Sequence, residues 1–369
     1  MKNLISSYSR IFLLIAIFFS PSLTDGGELA YNTSLYPLLN REVSPLIFSL
    51  GGCSVMQNGQ EDMVFFNPAG LIGDMLNSSW YGGFNVKYEP NSNNVFDQDY
   101  NLVTFAGRVG FGEKFPVALG FGFRSQQINA PHWDIDHHSH SPIPEGDVIS
   151  YEDRVLSFGG AVSIMPNLRA GFAYHSSSTK FDQETGKGGE LDIGAQWILL
   201  EPNNYSIQLG AGIEYQGCLD KDWGDYKEES DLDVVSFGYY VGANKGVSPI
   251  MWRWYNDFEF DLNSANLTML YREMKVGFEI TPLASNFIDV DFRMGLQSRN
   301  YNIPSVNGSE SGINWSFRLG GGLTLNRGGS KMVIDLGMII LKDKHGTAWE
   351  LEGSNRWMLS VSFFGVLNR

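Results

Sequence analysis

Apolar residues recur at every second position through much of this chain. Trp315, Phe317, Leu319, Gly321, Leu323 and Leu325 alternate with Ser316, Arg318, Gly320, Gly322 and Thr324. The same split separates Ile207, Leu209, Ala211, Ile213 and Tyr215 from Ser206, Gln208, Gly210, Gly212 and Glu214. It returns where Ile288, Val290, Phe292 and Met294 interleave with Asp289, Asp291, Arg293 and Gly295. Leu191, Ile193, Ala195, Trp197 and Leu199 against Asp192, Gly194 and Gln196 give a further case. A period of two marks a β-strand with two unlike faces. A soluble sandwich would turn a face rich in Lys, Glu and Thr to water. Here the polar face is glycine, serine and isolated charge, which suits a crowded barrel interior with the apolar face against lipid. Trp315, Trp197, Tyr215 and Trp357 near strand ends fit the aromatic girdles of membrane interfaces.

The connections give a second, independent sign. From Trp80 onward, tight links are expected near 112–114, 166–167, 201–204, 244–248, 282–286 and 327–330. Longer ones, at 90–99, 129–150, 182–188, 217–231, 263–266, 301–313 and 344–355, alternate with them. Short periplasmic turns alternating with long outer loops are the habit of outer-membrane barrels. The pattern predicts an all-β fold: a transmembrane antiparallel β-barrel of about fourteen strands over residues 80–369, with an N-terminal plug segment before it. Alternation is blurred near Arg253 and Arg272.

The first residues follow another logic. Lys2 and Arg10 flank the start of an apolar run, Ile11 to Phe19, that stops at Ser20 and Pro21 before the polar stretch Thr24-Asp25-Gly26-Gly27. A charged start, a short apolar core and a small-residue exit describe a secretory signal peptide, assigned to residues 1–26 with cleavage between Ser22 and Ala30. The run is too short to span a bilayer, and the chain has no other apolar stretch of about 18 residues. Residues 27–79, which lack strand alternation, are assigned to the plug.

Composition narrows the function. The 369 residues carry 26 Lys+Arg against 41 Asp+Glu, a formal charge of −15, which argues against a nucleic-acid partner. Two cysteines make neither a disulfide scaffold nor a four-thiolate zinc site. No nucleophile elbow, His-Glu-x-x-His or phosphate loop is present, so no enzyme, cofactor or metal site is assigned. The loop from Pro131 to His140 gathers four of the six histidines, and Asp220 to Asp233 is acidic; both read as solvated loops. Facing the apolar stripe, Arg108, Arg124, Arg169, Arg293 and Arg318 point inward, with Asp192, Glu214, Asp289, Asp291 and Asp335. Such arginines are candidates to line the lumen, pair with carboxylates or grip an anionic head group.

Ahead of the barrel runs Leu50-Gly51-Gly52-Cys53-Ser54, then Gln60-Glu61-Asp62-Met63-Val64-Phe65-Phe66-Asn67-Pro68-Ala69-Gly70-Leu71. Asn bonds its own backbone and Pro fixes φ, so Asn67-Pro68 is a rigid turn. A Gly-Gly element followed by an acidic residue, aromatics and Asn-Pro-Ala-Gly-Leu resembles the FadL-like outer-membrane superfamily. That superfamily includes hydrophobic-compound transporters and the PorV/PorQ proteins of type IX secretion. The resemblance implies a plug motif at Gly51, Gly52, Asn67, Pro68, Ala69 and Gly70 inside a barrel in the outer membrane of a Gram-negative-type bacterium. It implies passive uptake of hydrophobic small molecules such as fatty acids, with outer-membrane lipid and the solute as partners. The alternative is a PorV/PorQ-like docking role with secretion-system proteins as partners. The chain is nearer the PorV/PorQ length than that of the transporters, and it ends in Arg369 where an aromatic is usual.

Overall fold

The computed structural model describes residues 44–73, 80–93, 98–111, 116–135, 142–181, 184–200, 207–222, 227–228, 232–243, 250–263, 268–305, 308–327, 330–342 and 357–366. Among the described residues, 302–305 and 308–311 fall in a unit of their own, and the packing below lies in the other.

The strands in chain order are β1 (Trp80–Asn93), β2 (Gln98–Phe111), β3 (Val117–Ile135), β4 (Pro142–Met165), β5 (Leu168–Phe181), β6 (Glu184–Leu200), β7 (Ile207–Asp222), the two-residue β8 (Lys227–Glu228), β9 (Leu232–Ala243), β10 (Met251–Asn263), β11 (Thr268–Ala284), β12 (Ile288–Ser305), β13 (Gly308–Arg327), β14 (Ser330–Lys342) and β15 (Trp357–Val366). Apart from β8, which pairs with the end of β7, each is bonded to its sequence neighbours, and β7 pairs onward to β9. Tyr81–Tyr88 of β1 pair with Val366–Leu359 of β15, so the sheet closes into an antiparallel barrel of fourteen strands. Closure leaves no open edge, the condition for a sheet to lie in hydrocarbon.

Alternation decides which face meets what. On β4 Phe158 is 56% exposed and its neighbour Ser157 is fully buried; on β5 Phe172 is 58% exposed and Ala173 is buried. Phe292 stands outside and Arg293 inside, and Trp197, Trp315 and Trp357 also face outward. A continuous apolar belt of this kind is far larger than water-facing surfaces carry, so the outer surface is lipid-facing.

The long connections differ from the sequence expectation. Strands β3 and β4 stay paired through Ala130 with Ile149 and Ile135 with Pro142, well into the stretch expected to be loop. Strand β5 ends at Phe181 and β6 starts at Glu184, where a seven-residue connection was expected. The polar residues there belong to hairpins that extend the wall, since strand pairing satisfies backbone groups whatever the side chains. The blur near Arg272 comes from a bulge on β11, where Glu259 pairs with Glu273 and Phe260 with Tyr271 so that Arg272 is skipped; near Arg253 it comes from Tyr255, an aromatic in the inner core, beside the polar Asn256.

The core lies inside the barrel. Residues 44–73 form α1 (Pro45–Ser49) and two short 3-10 helices, η1 (Glu61–Phe65) and η2 (Pro68–Ile72). Ser44 caps α1, and the helix stops where Gly51 N–H donates to Phe48 O at 3.1 Å and Gly52 N–H to Ile47 O at 2.9 Å. That stop needs left-handed backbone, and Gly51 has φ 71°. Ile47, Leu50, Met56, Met63, Val64, Phe65, Leu71 and Ile72 are buried with Ala106, Ala118, Ala173, Tyr240 and Tyr255 of the wall. Small wall residues make room: a Cβ on Gly171 would come within 2.6 Å of Ala69 N, and one on Gly277 within 2.7 Å of Leu50 O.

A charge at the lipid-facing position of β4 tests this assignment. Phe158→Arg is expected to lower folding stability in bilayers by about 2–4 kcal/mol if the site lies near the midplane. Equilibrium refolding into lipid vesicles would measure it, and an unchanged midpoint would refute the orientation.

Candidate functional site

A buried segment of about thirty residues with so little regular structure leaves many backbone groups in need of partners. The wall supplies them. Arg108 of β2 donates to Leu71 O at 2.7 Å and also to Gly59 O. Arg124 of β3 donates to Phe65 O at 3.1 Å and lies over the Phe65 ring, 3.9 Å from its centroid. Asp257 of β10 accepts from Ser54 N–H at 2.6 Å and Val55 N–H at 2.9 Å. Gln196 of β6 donates to Val55 O at 2.9 Å and Gln57 O at 2.8 Å. Arg318 of β13 stacks over Phe48, 4.5 Å from the ring centroid.

The Asn-Pro motif is the inner segment's own fastening. Asn67 Oδ1 accepts from Ala69 N–H at 3.1 Å, capping η2, while its Nδ2 donates to Val55 O at 2.9 Å. Pro68 takes the first helical position, where a missing N–H costs nothing. Gly59 N–H donates to Gly70 O at 2.9 Å and ties the two halves of the segment together. Gly51, Gly52, Asn67, Pro68, Ala69 and Gly70 thus lie in one buried body.

Charge accompanies the backbone contacts. Lys87 of β1 and Asp62 of η1 form a buried ion pair, and Arg108 Nε is 3.5 Å from Glu61 Oε1. Burial pushes the Glu61 carboxyl up to about 7, with Arg108 opposing. Burial likewise pushes the Cys53 thiol well above its usual value, with Asp257 adding to the rise. Breaking such a buried pair costs far more than forming it gains, so these contacts fix position rather than add much stability.

Of the five inward arginines, Arg108, Arg124 and Arg318 meet the inner segment. Arg293 instead joins a network within the wall: its guanidinium donates to Asp335 at 2.6 Å, Glu279 at 3.2 Å and Asp291 at 3.2 Å. Lys275 and Arg272 bond Glu259 nearby, at 2.5 and 3.3 Å. Arg169 is buried on β5 opposite Gln196. Asp289 is at the end of β12, accepting from the Ser285 N–H of a turn. Sequence reasoning missed Asp257, whose strand has the blurred alternation, and Lys87, whose strand it placed from Trp80 but whose partner Asp62 lies in the inner segment.

A second buried polar group lies on β4 to β6. Ser157 Oγ is 2.7 Å from His175 Nδ1, and His175 Nε2 is 2.8 Å from Asp192 Oδ2. Glu190 is one inward position from Asp192 and directly across from His175. The order Ser, His, Asp is that of hydrolases, but there the serine meets Nε2 and the carboxylate Nδ1. Here the ring is reversed and Ser157 is shut off from solvent. The side chains of the histidine loop at 131–140 and most of the acidic loop at 220–233 lie outside the described residues.

No protein-family model matches the chain, and no curated protein matches it in sequence. In three dimensions it is similar to the FadL homologue of Pseudomonas aeruginosa, at 10% identity over 89% of this chain and 99% of that one, with a TM-score of 0.51. It is similar also to a deltaS2S3 mutant of the TodX monoaromatic hydrocarbon channel, at 10% identity over 87% of this chain and 97% of that one, again with a TM-score of 0.51. The chain therefore has the fold of a FadL-like barrel over most of its length.

Glu61 makes the fold sensitive to pH. Folded, its carboxyl keeps its proton up to about pH 7, whereas the unfolded chain releases it near 4.5. The stability it contributes is complete below the lower value and lost as pH rises through the upper, on the order of 3 kcal/mol. Denaturant midpoints measured from pH 4.5 to 8 should fall for the native chain and fall less for Glu61→Gln. Equal slopes would remove Glu61 from this role.

Proposed function

We propose that the chain is an outer-membrane channel for the passive entry of hydrophobic small molecules, with residues 44–73 as a plug that must shift for solute to pass. The observation that carries this reading is the character of the lumen. Where a water-filled porin has polar space, this barrel holds an apolar body of Ile47, Leu50, Met63, Val64, Phe65 and Leu71. A hydrophobic solute replacing part of that body regains buried area at roughly 25 cal/mol per Å², which a hydrophilic solute does not. The two similar barrels are a FadL homologue and a mutant of a monoaromatic hydrocarbon channel, which supports the same solute class. In this reading residues 1–26 are the export signal, residues 27–79 the plug region, and fatty acids are one solute class.

The fastening suggests how the path opens. The plug is held by discrete polar contacts rather than by strand pairing, so loosening a few of them shifts it without breaking the barrel. No energy-coupling segment is needed for a downhill flux, because apolar burial supplies capture and the concentration gradient supplies direction.

Uptake into liposomes containing the purified barrel tests the proposal with oleate, toluene and glucose as solutes. Oleate or toluene should enter faster than in protein-free liposomes, and glucose should not. Arg108→Gln, which removes charge-assisted bonds worth about 1.5–3 kcal/mol each, should raise the hydrophobic flux further. No acceleration of either apolar solute, with a stoichiometric protein partner co-purifying from membranes, would replace transport by the docking role.

A further inference from the structure

We propose that His175, Glu190 and Asp192 form a binding site for one divalent transition-metal ion, zinc by the chemistry of the donors, inside the barrel wall. The three come from adjacent strands: His175 from β5 and both carboxylates from β6. One ligand atom from each lies within 4.8 Å of the others, and all three residues are buried. Around a zinc ion, with bonds of about 2.0–2.2 Å, donors stand roughly 3.3–3.5 Å apart, so side-chain rotation by about 1 Å closes the set.

Electrostatics gives the first reason for a cation. The Glu190 and Asp192 carboxyl groups are in hydrogen-bonding contact within a site shut off from water. Two such groups cannot both be ionised side by side unless a positive charge lies between them. Across the barrel the comparable carboxylates have cations: Glu279 and Asp335 meet Arg293, and Glu259 meets Lys275 and Arg272. Glu190 and Asp192 share the nearby guanidinium of Arg124, and Asp192 also faces the imidazole of His175 at 2.8 Å, so two carboxylates are set against that one fixed charge.

An orphaned atom gives the second reason. Asp192 Oδ1 is buried and takes no hydrogen bond among the described residues. A buried carboxylate oxygen without a donor is costly, and an ion at the centre of the three residues gives it a partner.

The imidazole is prepared for the task. Ser157 Oγ, 2.7 Å from Nδ1, leaves Nε2 as the nitrogen turned toward the carboxylates. A serine hydroxyl accepts as readily as it donates, so it accepts a hydrogen bond from Nδ1–H when Nε2 binds a metal. Metal-ligating histidines are commonly oriented by such an outer bond. Imidazole with two carboxylates suits zinc or copper better than magnesium or calcium, and two negative ligands neutralise a divalent ion. Binding to a neutral imidazole places its one N–H proton on Nδ1, and any proton held between the carboxyl groups is released to solvent. The site would clamp β5 to β6 beside the inner segment, since Gly194 and Gln196 of β6 meet Asn67 and Val55 of that segment.

The full chain, extracted from membranes of cells grown with zinc and stripped of loose metal by gel filtration, provides the test. Elemental analysis should show one zinc per chain. X-ray absorption on the same sample should show one imidazole and oxygen donors at about 2.0–2.2 Å. Ser157→Ala should weaken zinc retention roughly 10- to 100-fold while the heat-shift of a folded barrel on gels persists. Glu190→Gln should abolish it. Folded protein without zinc, or zinc without imidazole in its shell, would overturn the proposal and leave a proton-sharing hydrogen-bond cluster in its place. If Glu190→Gln does not fold, the absorption spectrum of the unaltered chain decides alone.

Discussion

Everything in this molecule hangs on one exchange of hydrogen bonds: inward side chains of the wall satisfy the backbone of the segment they enclose. Residues 44–73 contain one five-residue helix and two 3-10 turns, too little to pair their own N–H and C=O groups. Arg108, Arg124, Asp257 and Gln196 supply what is missing, from β2, β3, β10 and β6. The anchors therefore surround the segment. Without them the apolar core of the enclosed segment would carry unsatisfied polar groups into a closed space, a cost that hydrophobic burial alone would not offset.

This exchange also explains the composition of the strands. Glycine on the inner face is a matter of space, since Gly171, Gly277 and Gly295 lie where the backbone of the enclosed segment passes. Isolated charges are there because each has a specific backbone or ionic partner. The outer face needs only to be apolar and aromatic, which many sequences satisfy. Such constraints leave most identities open, and the fold is shared with another barrel at 10% identity.

Much of this was legible in the chain. Alternation through Leu191–Leu199 and Trp315–Leu325 marked strands whose inner residues, Asp192, Gln196 and Arg318, are indeed buried. Inward placement of the five arginines followed from the same period. Their partners did not, because Arg108 and Leu71 meet across a gap of 37 residues that no local pattern encodes. Asp257 was hidden because Tyr255 and its polar neighbour Asn256, both buried, blur the alternation of its strand, and the paired extension of β3 and β4 by its polar side chains. The cluster of Ser157, His175 and Asp192 exists only through the pairing register of three strands, so each residue taken singly looked ordinary.

The most direct measurement of the enclosed segment uses Cys53, a buried free thiol within it. In a chain carrying Cys218→Ser, reconstituted in lipid, a water-soluble maleimide should leave Cys53 unmodified while the barrel is folded and label it after denaturation. Labelling at the rate of an exposed thiol, with the barrel intact by heat-shift on gels, would show that residues 44–73 are not held inside by the wall.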